Sequence, residues 1–424
     1  MKSYCFTLLF IFTTFQFYSV DTLAIPDPDQ SRMIPELVTS RGFIHEPHQL
    51  VTSDGYILGI HRIINPLAKK YFKIAQKPIL IQCGLLCSGS EFLTNSPGGH
   101  LNETMLANRD QVDYMDFTSD FNNLGFVLAN LGYDVWLFHP RGNLYSRNHT
   151  TLDPDTDKSY WEFTFDEIAL YDLPTTIDYM IKITGEPSIG YIGYSQGGTT
   201  IYALLADRPN YSSKVVPIIS IAPAVRLDNY HGLSYQIILE TPLVMSYIKS
   251  RGGECFGFMQ ETFLQKCNES YLFKLICNFI TYDLLSMNKA QVDPDRVNVI
   301  ISHLPSGTSC WNILHLLQVM VNKSFAKFDY GSLDNLIKYN STSPPVYNLS
   351  KVQSDDMYIV SSIGDHSADQ KDIAILKSLL TSVPEIIEHT IDDKTFDHLD
   401  YFMSKRTGPY VNGPIAKMLR KYNH

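Results

Sequence analysis

An α/β fold built on a mostly parallel sheet is what this sequence predicts, on three observations. Short apolar runs alternate with helix-like segments before residue 226 and again after residue 345. Between those blocks the chain is rich in Leu, Ile, Phe and Tyr at helical spacing with few strand-like runs, as an insertion would be. Within the first block, 188–194 reads as a buried strand and 196–206 as a helix, joined by Gly193-Tyr194-Ser195-Gln196-Gly197. That G-x-S-x-G spacing carries a serine on a sharp turn, with glycine where a Cβ would collide with neighbouring backbone.

The elements follow in order. Residues 1–24 hold Lys2 and then a mostly apolar run from Phe6 to Phe17, too short to span a bilayer and of the form of a secretory signal. No later run reaches the ~18 apolar residues that a spanning helix needs, so no stable membrane span is expected. In 25–225, Leu80-Ile81-Gln82 ends one strand, Asp134–Phe138 and Val215–Ile221 form others, and helices are expected over 121–131 and 165–183. Pro217 is expected at the start of its strand rather than within it. Residues 226–345 are the helical insertion, a cap with a lid, expected over the carboxyl ends of the strands. In 346–424 a strand over 357–361, a helix near 369–380, a strand over 385–391 and a last helix near 410–419 complete the sheet.

Composition narrows the class. The 424 residues carry a formal net charge of −10 and no basic cluster, which argues against a nucleic-acid surface. Beyond the leader, Cys83, Cys87, Cys255, Cys267, Cys277 and Cys310 lack zinc-like spacing, and an oxidising compartment favours disulfides. Asn102, Asn148, Asn210, Asn268, Asn322, Asn340 and Asn348 each begin a glycosylation sequon. The expected location is the secretory route, either outside the cell or in the lysosomal lumen. No metal and no organic cofactor is implied, and nothing speaks to oligomeric state.

A serine hydroxyl becomes a nucleophile only with a base and a third group that orients the base. In this topology the order along the chain is serine, acid, histidine. Asp365 lies just beyond the strand over 357–361 and is preferred to Asp369, which has the position of a helix N-cap. His398 follows the next strand in a loop. His389 lies within that strand, His366 adjoins Asp365, and His424 is terminal, so His398 is the choice. The oxyanion donors would be the N–H of Gln196 and one from the turn Gln82-Cys83-Gly84-Leu85-Leu86. Gly253-Glu254-Cys255-Phe256-Gly257 repeats the spacing with cysteine, but no strand precedes it.

The stretches VTSDGYILGIHRI, CGLL, LGYDVWLFHPRGN, WEFTFDEIALYDLPTTIDYMI, GYSQGGTT, LPSGTSCWNILH, SPPVYNLS, GDHSAD and DHLDY occur in one order over roughly 35–420. In them the chain resembles the acid lipase family that includes gastric lipase and lysosomal acid lipase. The resemblance implies an α/β-hydrolase core with a cap and lid, acting on acylglycerols or sterol esters at a lipid–water interface. It puts the family's catalytic residues on Ser195, Asp365 and His398, its oxyanion donors on Leu85 and Gln196, and its cap disulfide on Cys267 and Cys277. Cys83 and Cys87 are left unpaired. The chain departs from the family's usual pattern in Cys83, where histidine normally precedes Gly-Leu, and in Tyr194, where the elbow normally has histidine. It also carries an insertion around 93–119. The expected activity is that of a serine lipase. The alternatives are an esterase for soluble esters and a non-catalytic lipid-binding protein on the same fold, which would be expected to lose triad residues.

Overall fold

The computed structural model describes residues 27–72, 77–118, 121–231, 252–257 and 288–422. The leader, Asn268, His424, the Cys267–Cys277 pairing and the apolar stretch 263–285 expected to form the lid lie outside the described residues.

An eight-stranded sheet organises the chain. Its strands are β1 (Ile44–Val51), β2 (Ile57–Ile64), β3 (Pro78–Gln82), β4 (Asp134–Phe138), β5 (Ile189–Tyr194), β6 (Val215–Ile221), β9 (Met357–Ser362) and β10 (Ile386–Ile391). The two-residue strands β7 (Glu254–Cys255) and β8 (Thr308–Ser309) pair separately. The main order is β1-β2-β4-β3-β5-β6-β9-β10. β1 and β2 are antiparallel, as are β2 and β4, and every pair from β4 to β10 is parallel. β3, β5 and β9 are buried at every position, because helices cover both faces of a parallel sheet. Helix Leu124–Asn130 packs on β4, helix Gln196–Asp207 on β5 and β6, and helix Gln370–Leu379 on β9.

Two strand readings change. The hairpin β1–β2 was not expected. Its turn, Thr52 to Tyr56, is closed by Thr52 and Tyr56 and by Gly55 at φ +99°. Pro217 lies inside β6, not at its start. The β5–β6 register slips there, from Ile189↔Val215 to Tyr191↔Ile218, so the proline occupies a bulge that needs no ladder hydrogen bond. The helix expected over 165–183 is composite, with a π-helical turn over Ile168–Asp172 feeding Leu173–Thr184.

That π-turn delivers Asp172 to a buried ion cluster. The Asp172 carboxylate accepts from Arg141 N–H (2.9 Å), Nε (2.8 Å) and Nη2 (2.6 Å). Asp54, in the β1–β2 turn, takes the other edge of the guanidinium at 2.6 and 3.0 Å. Tyr56 lies under the cation, its ring centroid 3.9 Å from Arg141 Cζ. One side chain just past β4 thereby ties together the hairpin, the π-turn and the segment that leads to the site.

The described parts of 226–345 are helices Val297–His303, Cys310–Asn322 and Ser332–Tyr339 with the ribbon β7–β8. A disulfide joins Cys255 to Cys310 across that ribbon, which rules Cys255 out as a nucleophile. Arg296, just before helix Val297–His303, is tied to the N-terminal segment. Its guanidinium reaches Asp27 (2.7 Å), Asp29 (3.1 Å) and the Thr94 carbonyl, while Arg41 holds the same Asp29 at 2.5 Å.

Asp172→Ala would leave Arg141 buried with only the partly exposed Asp54 opposite. Breaking a buried pair from one side typically costs about 3–5 kcal/mol. Denaturant unfolding of this variant against the parent is expected to show a loss of that order.

Candidate active site

The chain order places β4 on one side of β3 and β5 on the other. Open α/β sheets bind ligands outside the carboxyl ends of strands at such a switch. Here the turn after β3 and the turn after β5 meet.

Ser195 caps helix Gln196–Asp207 with φ 52° and ψ −111°, a left-handed conformation that costs a non-glycine residue about 1–3 kcal/mol. Its neighbours allow this. A Cβ on Gly197 would stand 2.7 Å from the Gln82 carbonyl oxygen at the end of β3, and one on Gly193 would stand 2.7 Å from the backbone of Gly197. Both glycines are therefore required by close backbone approach. Ser195 N–H donates to the Ile221 carbonyl at 2.9 Å, and its own carbonyl accepts from Gly198, Thr199 and Ala224. Under the turn, Gln82 Oε1 accepts from Tyr191 (2.6 Å) and Thr200 (3.0 Å).

Asp365 and His398 reach Ser195 from the ends of β9 and β10. Ser195 Oγ lies 2.9 Å from His398 Nε2, and His398 Nδ1 lies 3.1 Å from each Asp365 oxygen. Asp365 is buried and accepts two further bonds of 2.8 Å from the N–H groups of Ser367 and Ala368. Burial alone would raise its pKa, but His398 and these donors outweigh it and hold the carboxyl below its ordinary range. For His398, burial works against the imidazolium, yet Asp365 and then Asp397 prevail and raise the pKa.

The residues set aside in the sequence are occupied elsewhere. Asp369 caps helix Gln370–Leu379 by accepting from Lys371 N–H. His366 Nδ1 lies 2.7 Å from Asp397, and His389 Nε2 bonds the Tyr410 carbonyl from within β10.

The loop after β3 approaches Ser195 closely, since a Cβ on Gly84 would stand 2.9 Å from that of Ser195. Leaving Cys83 and Cys87 unpaired was wrong. They form a disulfide with Cα atoms 5.7 Å apart, closing Gly84-Leu85-Leu86 into a small ring. Two cysteines four residues apart were the available signal, and the loop's curvature, with Leu86 at φ 64°, brings them together. Among the described residues, the N–H groups of Leu85 and Gln196 donate to no acceptor. The Gln196 side chain exchanges two bonds with Asn312 of the insertion, at 3.0 and 3.1 Å. The Leu86 carbonyl accepts from Ser306 at 2.7 Å.

Sequence reasoning passed over three contributors. His139 Nε2 accepts from Gly89 N–H, and burial lowers its pKa to about 4, so it stays neutral. Asp397 takes the His398 N–H at 2.7 Å. Asp400 is buried, and burial pushes its carboxyl up to about 8. The negative charge beside the imidazole is therefore that of Asp365 and Asp397. Of the sequon asparagines, Asn102, Asn148, Asn210, Asn322, Asn340 and Asn348 are all exposed.

Comparison with known proteins gives the family. Residues 34–96 match a partial alpha/beta-hydrolase lipase region, and residues 118–303 match the alpha/beta hydrolase fold. The chain is 30% identical over 413 residues to the lysosomal acid lipase/cholesteryl ester hydrolase of Rattus norvegicus, covering 95% of this chain and 94% of that protein. It is 29% identical over 405 residues to the gastric triacylglycerol lipase of Bos taurus, covering 93% and 92%. It is 31% identical over 376 residues to lipase 1 of Drosophila melanogaster, covering 88% and 76%. With a relative at this identity along almost its whole length, the chain belongs to the acid lipase family of α/β-hydrolases.

Proposed function

We propose that the protein is a secreted or lysosomal serine lipase that cleaves carboxylic esters of acylglycerols or sterols, with Ser195 as nucleophile, His398 as base and Asp365 as the orienting acid. The observation that carries this reading is the continuous line from Ser195 Oγ through His398 to Asp365, beside two backbone N–H groups without acceptors. Family membership makes the chain a carboxylic ester hydrolase, and the relatives' names supply the substrate classes.

His398 Nε2 takes the hydroxyl proton as Ser195 Oγ attacks the ester carbonyl. The negative charge then forms on the carbonyl oxygen between the N–H groups of Leu85 and Gln196. Asp365, held ionised by its three donors, stabilises the imidazolium without taking its proton. His398 returns the proton to the departing alcohol, leaving an acyl-Ser195. Water activated by the same imidazole then releases the acid. The cap spanning 226–345 belongs to this reading, with Asn312 and Ser306 bracing the two oxyanion segments from above.

A lipid surface is favoured over a soluble ester by helix Ser332–Tyr339. Leu333 and Ile337 are 81% and 82% exposed while Asn335 faces inward, so the helix turns its apolar side to solvent. Leu333→Ser with Ile337→Ser is expected to lower activity on an emulsified ester and spare activity on a dissolved short-chain ester. Equal rates on both substrates before and after would favour the soluble-ester reading.

Ser195→Ala and His398→Ala are each expected to lower kcat by roughly 10⁴–10⁶-fold, because nucleophile and base act as a unit. An organophosphonate should label the parent and not Ser195→Ala. Asp365→Asn should be nearly inactive, whereas Asp369→Asn, altering only a helix cap, should stay active.

His398 must be neutral to accept the proton, so activity falls as pH drops through its pKa, and a raised pKa puts that fall at higher pH. Asp397→Asn keeps an acceptor for the His398 N–H and removes one of the charges that raise the pKa. The acid limb of kcat/KM is expected to move to lower pH while kcat is largely retained.

A further inference from the structure

The last side chain before the nucleophile touches both the loop that carries His398 and the loop after β3. Tyr194 ends β5, where pairing with Ile221 of β6 fixes its backbone, and it is 2% exposed. Its hydroxyl donates to the main-chain carbonyl of His398 at 2.7 Å. Its ring centroid lies 5.2 Å from the His398 imidazole and 5.2 Å from Phe402. On the other side, a Cβ at Gly84 would come within 3.2 Å of Tyr194 Cδ1 and Cε1. One ring is thus wedged between the loop of the base and the loop after β3, one peptide bond from Ser195.

The geometry points to Tyr194 as a positioning residue that sets the height of His398 over Ser195. This rests on the triad reading above. At residue 398 itself the other ties are Asp397 on the N–H and Asp365 and Ser195 on the ring, while the loop before it is held through Ser362 Oγ to the Phe396 carbonyl (2.7 Å) and Gln291 to Thr395 Oγ1 (2.8 Å). Among the described residues, the His398 carbonyl accepts from no group but Tyr194. Without that bond the main chain at His398 loses its tie to the end of β5. Both the 2.9 Å contact to Ser195 and the paired 3.1 Å contacts to Asp365 would then lengthen together. A shift of a fraction of an ångström at reacting atoms lowers the rate without weakening substrate binding.

The test is Tyr194→Phe, which keeps the ring and removes the hydroxyl, assayed on a dissolved short-chain ester. We expect kcat to fall about tenfold, the equivalent of one strong hydrogen bond lost in the transition state, with KM unchanged. The acid limb of kcat/KM should also move to lower pH, because a looser Asp365 contact raises the His398 pKa less. A hydroxyl that merely satisfied a carbonyl would leave that limb in place. Unchanged kcat, or a loss of activity that tracks the unfolded fraction with the acid limb unmoved, overturns the inference. If Tyr194→Phe does not fold at the assay temperature, Tyr194→His is read in the same two ways. Ser195→Ala in the same assay separates the two levels. If it stays active, the triad reading itself fails. If it is inactive while Tyr194→Phe matches the parent, only the role of Tyr194 fails.

Discussion

The close passage of Gly197 beneath the carbonyl of Gln82 is the contact on which the site depends. It lets the helix after β5 start under the end of β3, which forces Ser195 into a conformation it would not choose alone. The strain persists because the surroundings over-determine it. Ile221 holds the serine N–H, three N–H groups hold its carbonyl, and the buried Gln82–Tyr191–Thr200 network fills the space below. Nothing in that set can move alone. Among the described residues, the same turn leaves the N–H of Gln196 without an acceptor.

Charge is distributed so that each ionised group near the site has a fixed task. Asp365 is kept ionised against its own burial by the imidazole and two N–H donors. Asp400, two residues beyond His398, is pushed up by burial, which outweighs the one N–H it accepts, from Asp397, and is kept neutral. Further out, the Arg141 cluster and the Asp29–Arg41–Arg296 cluster are ionic joints between segments distant in sequence. Through Arg296 the segment around helix Val297–His303 is fixed to the N-terminal segment. Through Ser306 and Asn312 the residues that follow are fixed to the two loops that flank the serine.

The sheet's interior strands are legible in the sequence because parallel strands buried on both faces read as apolar runs, and Asp134–Phe138 and Val215–Ile221 have the expected limits. The edge hairpin is not. IHEPHQLV alternates poorly, because an edge strand is half exposed and its histidines pair with neighbours rather than with a core, as His45 does with His61. Its Asp-Gly turn was the missed signal. At the site, the order serine–aspartate–histidine and the strand-end positions of Asp365 and His398 follow from topology and can be read from sequence. Which cysteines meet depends on loop curvature. That a tyrosine hydroxyl reaches the carbonyl of a residue 204 positions away depends on packing. Neither has a local sequence signature.

The small ring between Cys83 and Cys87 has a consequence for where the molecule becomes active. Its covalent closure shapes the loop that lies against Ser195, whereas the aspartate, histidine and serine come together through strands and hydrogen bonds alone. Translation and folding therefore finish the acid–base machinery, but the loop is finished only by an oxidant. A chain made in a reducing cytosol would have the Ser195–His398–Asp365 contacts in place and the loop after β3 without its covalent closure. Passage through an oxidising compartment is then what closes the loop beside Ser195.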